Sequence, residues 1–177
     1  LLINNAGIGG TSRFTDVDVS YIKKIIDVNV TATSILTHQL LPNLLKQSKG
    51  YILNVSSMAA FSPIGYKTVY PASKAFIHSF SRGLSEELID TNVSVSVVSP
   101  GAMATNDEVT ARIKKQGFIG RLTLLDPDKV AKKCINKIFK ENAVVKVNYL
   151  ILPIIQLLPI WLISALGTKT IKREVIQ

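Results

Sequence analysis

An α/β domain with a parallel sheet covered on both faces is the fold class this sequence predicts, and three observations carry it. Short runs rich in β-branched or aliphatic residues, "LLIN", "YILNVS" and "VSVSVVS", alternate with longer stretches whose apolar residues recur at helical spacing. Glycine-bearing breaks, "NNAG" and "PGAMAT", close two of these runs. The 177 residues are 47% hydrophobic, with a mean hydropathy of +0.28. That supplies a core for one domain and excludes a disordered chain.

Taken in order, residues 1–4 read as a buried strand cut at its front, followed by the glycine-rich turn "NAGIGG". Residues 18–47 read as a helix in two pieces, with Pro42 as a kink. A strand over 51–56 precedes a helix over 71–89, where Pro71 suits the first helical position because its missing N–H has no partner there. In that helix Ala72, Ala75, Phe76, Ser79, Phe80, Gly83 and Leu84 form a small-rich face fit for close packing. The valine–serine run 93–99 is a strand ending at Pro100-Gly101. Asp126 caps a further helix with Pro127 at its first position, and Val130, Ala131, Cys134, Ile135, Ile138 and Phe139 are its inward stripe. Residues 143–151 supply one more strand. No repeat, low-complexity tract or linker interrupts this order.

Charge and cysteine content narrow the function classes. Twenty-one Lys and Arg stand against 12 Asp and Glu, a net charge of +9. This favours an anionic partner such as a phosphorylated cofactor or an acidic lipid surface. One tryptophan and no arginine-rich run argue against nucleic acid. Cys134, the single cysteine, rules out an internal disulfide, fits a reducing cytoplasmic compartment and packs in its helix stripe. His38 and His78 lack partners at metal-ligand spacing, so both read as structural and no metal site is expected.

The chemistry concentrates at "VYPASKAF", residues 69–76. Tyr70 and Lys74 are four apart and share a helix face. An ammonium beside a phenol favours the phenolate where water is partly excluded, which suits the phenol to proton transfer near neutral pH. Alone, the pair is a weak signal. It is accompanied by Ser57 in "LNVSSMAAF", at the carboxyl end of a strand, where ligands of open α/β sheets bind. Asn29 in "DVNVTAT" is a polar residue in an apolar helical stretch: a helix break, a core amide satisfied by backbone, or a site residue. "NNAG" and "PGAMAT" place glycines at strand ends, where backbone can approach a ligand.

These five pieces ("NNAG", the asparagine of "DVNV", the serine of "NVSS", "YPASK" and "PGAMAT") stand in the order and spacing of the short-chain dehydrogenase/reductase family, which the chain resembles from residue 1 to about 105, and more loosely to about 142. The resemblance implies a Rossmann-type doubly wound parallel sheet and NADP- or NAD-dependent interconversion of a ketone and a secondary alcohol. It implies that Tyr70 is the general acid or base. Lys74 tunes Tyr70 and holds the nicotinamide ribose, Ser57 polarises the substrate carbonyl, and Asn29 holds a water that relays protons to Lys74. Asn5, Ala6 and Gly7 would line the adenosine-ribose side of the cofactor, and Pro100, Gly101, Met103 and Thr105 would border the nicotinamide. Ser56 is the weaker serine, since its side chain should point to the opposite side of the strand.

The family's first motif, a glycine-rich turn after the first strand that receives the pyrophosphate, has no counterpart here. "GIGG" (7–10) is the tail of "NNAG". The residue that selects NAD or NADP is likewise absent. The sheet is thus expected to lack its first βαβ strands, leaving strand 1–4 as an apolar edge. The chain reads as the C-terminal part of a longer enzyme, and these 177 residues alone are expected to fold poorly and not to bind cofactor.

Residues 1–148 form the family domain in this reading, and 149–177 an apolar, then basic tail. "YLILPIIQLLPIWLISALG" (149–167) carries no charge, and Lys169, Lys172 and Arg173 follow. Two prolines and a glutamine argue against a membrane span. Two readings stay open. The tail packs over the substrate cleft or a partner subunit, the preferred case, or it makes peripheral membrane contact through 149–173. Both favour an apolar, lipid-like carbonyl or alcohol substrate. Residues 106–125, charged and glycine-bearing, suit a mobile lid. Helices 30–47 and 71–89 are the expected homo-oligomer face. A non-catalytic, nucleotide-binding homologue is the rival reading. A sugar-nucleotide epimerase is disfavoured because too few residues follow 105 for its substrate domain.

Overall fold

Val93–Val98 is buried along almost its whole length, so this strand must lie between two covering layers. The structure is a computed structural model and describes residues 1–104, 124–140, 144–145 and 157–175. Its strands are β1 (Leu2–Asn4), β2 (Gly50–Val55), β3 (Val93–Val98) and β4 (Val144–Val145), and they form one sheet in the order β1-β2-β3-β4. All three pairings are parallel, with Ile3 opposite Leu53, Leu53 opposite Ser96 and Val98 opposite Val145. The parallel α/β fold expected from the sequence is present. The edge expectation holds as well: β1 pairs on one side with β2, and Leu1 and Ile3 are exposed.

Helices cover both faces. Those ahead of the site are α1 (Val19–Ile26), a π-helical turn (Asp27–Thr31), α2 (Ala32–Leu45) and α3 (Val69–Glu87); α4 (Pro127–Ile138) and α5 (Ile160–Val175) follow. On one face Ile52, Val93 and Val95 pack with Leu88 against Leu41, Leu44 and Leu84. On the other, Leu53, Val98 and Val145 pack with Cys134, Ile138 and Val130. Each fully buried aliphatic side chain contributes about 1.5–3 kcal/mol, so these two clusters are the main attraction holding the layers together.

Three local expectations are corrected. The first helical stretch breaks at the π-turn 27–31, not at Pro42, which sits inside α2. Helix α3 begins at Val69, so Pro71 is its third residue. Proline is tolerated there for the same reason as at the first position, because the first four N–H groups of a helix have no intrahelical partner. In α4 the inward stripe is narrower than expected: Cys134 and Ile138 are buried, whereas Ala131, Ile135 and Phe139 are exposed. Phe139 instead meets Tyr51 edge to face, ring centroids 5.0 Å apart. The small-rich face of α3 is not contradicted: Ala72, Phe76, Ser79 and Gly83 are exposed. The α4 cap is as expected, with the Asp126 carboxylate accepting from the backbone N–H groups of Asp128 and Lys129. Of the expected strand over 143–151, residues 144–145 are described and the rest lie outside the described residues.

A polar ladder crosses the core. The Asn4 side-chain amide donates to Asn54 Oδ1 at 2.7 Å and to Thr37 Oγ1 at 3.0 Å. Asn54, fully buried, donates on to Ser81 Oγ at 2.9 Å. The ladder ties β1 to β2, α2 and α3, beneath the site. Asn54→Ala strands part of it, and a buried group without a partner costs about 1–3 kcal/mol. Urea unfolding should show the variant destabilised by about 1–3 kcal/mol; a loss below about 0.5 kcal/mol would show that the ladder is not structural.

Candidate active site

The carboxyl ends of β1, β2 and β3 meet on one side of the sheet, and each hands the chain to a segment of the expected constellation. After β2, the Met58 N–H donates to the Pro100 carbonyl beyond β3 at 2.9 Å. Beyond β1, Asn5, Ala6 and Gly7 are exposed. A hollow of about 290 Å³ lies at the opposite, amino ends of β2 and β3, between Lys49, Asn92 and Val93. Ligands of open parallel sheets bind at the carboxyl ends, so that hollow is set aside.

Helix α3 delivers Tyr70 in its first turn and Lys74 one turn later. Lys74 is buried to 5% exposure, and its ammonium donates to the Val55 carbonyl at 2.9 Å. Burial holds its pKa below the ordinary 10.5, since leaving water penalises the charged form. The ammonium lies 6.0 Å from the centroid of the Tyr70 ring, at the outer limit of a cation–π contact.

Asn29 fixes the surroundings. Within the π-turn its side-chain oxygen accepts from the Ile8 N–H at 2.8 Å, and its amide donates to the Ile8 carbonyl and to Ser73 Oγ, both at 2.9 Å. Ser73 Oγ in turn donates to the Tyr70 carbonyl at 2.7 Å. One amide therefore clamps the "GIGG" loop to the helix that carries Tyr70 and Lys74. A β-carbon at Gly7 would lie 2.9 Å from Lys74 Nζ, and one at Gly9 2.6 Å from the Tyr70 ring. Both glycines are needed for close approach.

The two serines have different partners. Ser56 is buried and donates to the Lys74 carbonyl at 2.7 Å, a structural bond between β2 and α3. Ser57 is half-buried, and its oxygen accepts from the Ala59 N–H at 3.2 Å, which leaves the hydroxyl proton to serve a ligand. The structure thus brings Gly7, Asn29, Tyr70 and Lys74 into one neighbourhood, joined through Ile8 and Ser73. Ser57 stands at the end of β2, while Pro100 is buried and Gly101 and Met103 follow β3, with Met103 bridged to Leu125. Thr105 and residues 106–123 of the expected lid lie outside the described residues.

Two features escaped the sequence reading. Tyr66 has a φ of 65°, a left-handed conformation that costs a non-glycine residue about 1–3 kcal/mol. Its carbonyl accepts from the Ser12 N–H at 2.8 Å, which joins the loop before Tyr70 to the loop after β1. The adjacent Gly65 was the available hint. The second is α5, which docks on this same loop. Gly65 N–H donates to Thr168 Oγ1 at 2.9 Å, and Ile171 is buried. His78 packs edge to face on Phe61, and burial together with Arg82 pushes its pKa down.

A family model described as short chain dehydrogenase matches residues 1–116. The chain belongs to this family of oxidoreductases. It is 40% identical over 105 residues to uncharacterized oxidoreductases of Staphylococcus saprophyticus and Staphylococcus epidermidis, covering 59% of this chain and 45% and 46% of those proteins. The chain thus spans about half the length of the curated relatives it matches. Among solved structures it resembles a 3-oxoacyl-[acyl-carrier protein] reductase with bound NAD from Brucella melitensis (27% identity, TM-score 0.69, 82% of this chain and 59% of that one). A short-chain dehydrogenase from Sphingobium yanoikuyae in complex with NADPH is similar at 26% identity and a TM-score of 0.69, over 81% of this chain and 55% of that one. A 7beta-hydroxysteroid dehydrogenase shares the fold at 23% identity and a TM-score of 0.72, over 83% and 57% of the two chains.

Two predictions follow from this geometry. Gly9→Val must displace the Tyr70 ring or the loop, so urea unfolding should show the variant destabilised by about 1–3 kcal/mol. A loss below about 0.5 kcal/mol would show that the contact is slack. The second concerns the buried ammonium. Below the lowered pKa of Lys74, both folded and unfolded states carry its proton, and the burial penalty is complete. Between that value and 10.5, the unfolded state binds more protons, so wild-type stability rises with pH. Lys74→Met lacks this term. Its stability relative to wild type, measured by urea unfolding, should be most favourable at pH 7 and should decline toward pH 10.5. A difference independent of pH would show that the ammonium is not desolvated.

Proposed function

We propose that the protein is an NAD(P)-dependent oxidoreductase that interconverts a ketone and a secondary alcohol on an apolar, lipid-like substrate. The observation that carries this reading is the buried Lys74 ammonium, set between Gly7 and the Tyr70 ring at the carboxyl ends of the strands. A structural lysine gains nothing from such burial, since desolvation destabilises its charged form.

The site fits a nicotinamide nucleotide. The absent side chain of Gly7 opens the approach to Lys74 Nζ. Among the described residues that nitrogen spends one hydrogen bond, on Val55, and an ammonium has three donors. Lys74 would hold ribose hydroxyls with the others, Asn5, Ala6 and Gly7 would line the adenosine side, and Pro100, Gly101, Met103 and Thr105 the nicotinamide side. When bound, NADP or NAD supplies or accepts the hydride. Tyr70 gives its phenolic proton to the developing alkoxide in reduction and takes it back in oxidation. Ser57 donates to the carbonyl oxygen and orients it. Asn29, already committed to Ile8 and Ser73, keeps the loop and α3 in register and borders the route by which Lys74 exchanges protons with water.

Residues 1–148 carry this chemistry, and the tail from 149 borders the cleft through the contact of α5 with Gly65. The outward-facing Ile35, Leu36, Leu40 and Phe76 of α2 and α3 are exposed and supply the face for a homo-oligomer. The test is Tyr70→Phe in the full-length protein, assayed with NADPH and NADH on apolar ketones. General acid catalysis contributes about 10²–10⁴-fold, so turnover should fall by that range while cofactor binding, read by fluorescence titration, persists. Unchanged turnover removes the mechanism, and cofactor binding without any reductase activity in the wild type favours a non-catalytic nucleotide-binding protein.

A further inference from the structure

Helix α5 touches the body of the domain through its carboxyl half and exposes apolar side chains toward its amino end. Ile171 is buried, Gly167 lies against Ile64, and Thr168 bonds Gly65. The amino half presents Ile160 at 61% exposure, Trp161 at 69% and Leu166 at 57%, and just ahead of the helix Leu157 is 85% exposed. Lys169 and Lys172 are exposed further along the helix. No acidic residue occurs between positions 157 and 173.

The exposed residues are segregated along the axis. The apolar group ends at Leu166, and the lysines begin at Lys169. At 1.5 Å per residue, Trp161 and Lys169 are about 12 Å apart along the helix. Among the described residues no helix is long and apolar enough to cross a membrane. Aromatic and aliphatic side chains beside lysines, with no carboxylate among them, complement an anionic bilayer surface: rings and chains enter the headgroup boundary while ammonium groups meet phosphate and carboxylate headgroups.

We propose that residues 157–172 form a peripheral docking surface for an anionic lipid bilayer. Leu157, Ile160 and Trp161 insert, and Lys169 and Lys172 stay at headgroup level. This surface is independent of the catalytic reading, since it shares no residue with the site.

Trp161 is the single tryptophan of the sequence and serves as the reporter, with Trp161→Phe as the blank in the full-length protein. The protein is mixed with vesicles of phosphatidylcholine alone or with 30% phosphatidylserine, then followed by tryptophan emission and cosedimentation. The expected result is a blue shift and cosedimentation with the anionic vesicles, reversed by salt. Each basic residue near an anionic surface is worth about 1 kcal/mol, so Lys169→Glu with Lys172→Glu should weaken partition by tenfold or more. Leu157→Asp with Ile160→Asp, at exposed positions that leave the fold intact, should abolish the shift. An unmoved emission without cosedimentation overturns the proposal. So does equal partition onto neutral vesicles, or a blue shift that follows protein concentration without lipid, which would assign the face to a second copy.

Discussion

The site depends on one side-chain amide. Asn29 satisfies both backbone groups of Ile8 and the hydroxyl of Ser73 at once, so a loop, the π-turn and α3 share a single fixed point. The π-turn stands where these bonds are made, and single π-turns inside helices are frequent at functional sites. Asn29 is 1% exposed, so its bonds form in a low-dielectric setting where leaving any of them unmade is costly. The resulting rigidity is what lets Gly7 and Gly9 sit against Lys74 and Tyr70 without a side chain between them.

The buried ammonium is the opposing term. Lys74 is taken out of water with a single carbonyl as its partner among the described residues, which weakens the fold. The ladder of Asn4, Asn54 and Ser81 and the two aliphatic clusters around β2 and β3 supply the compensating attraction. Strain collects in the same place: Tyr66, four residues before Tyr70, holds a left-handed backbone. A functional cleft that is locally unfavourable and globally supported is a common physical arrangement, because the groups that do chemistry are rarely the ones that pack best.

Much of this was legible in the residues. The runs around Ile52 and Val95 stood out because a strand covered on both faces is apolar or small throughout, and the Asp126-Pro127 pair announced a helix start that the geometry repeats. The spacing of Tyr70 and Lys74 requires a helix, and α3 supplies it. The less legible parts are those where a side chain bonds across the chain. Nothing local marks Asn54 as the centre of a ladder, because its partners are 50 and 27 residues away. Periodicity also overstated the inward stripe of α4, since a pattern of apolar positions says which side of a helix is greasy but not how far the sheet extends beneath it. The break at 27–31 was half legible: a helix break was one reading of Asn29, but Pro42 is the familiar breaker, and the bond to Ile8 that accompanies the π-turn is distant in sequence.

The contact between α5 and the loop ahead of Tyr70 has a consequence for how this protein can change through descent. A β-carbon at Gly65 would lie 2.8 Å from the Thr168 methyl group. Neither position can be altered in size without the other giving way, and the segment between them in sequence includes most of the fold. Gly65 and Thr168 therefore form a unit of inheritance. Tails exchanged between homologues would carry their fit to this loop with them, and a tail borrowed from a relative with a bulkier residue at 65 would arrive with a gap or a clash beside the tyrosine.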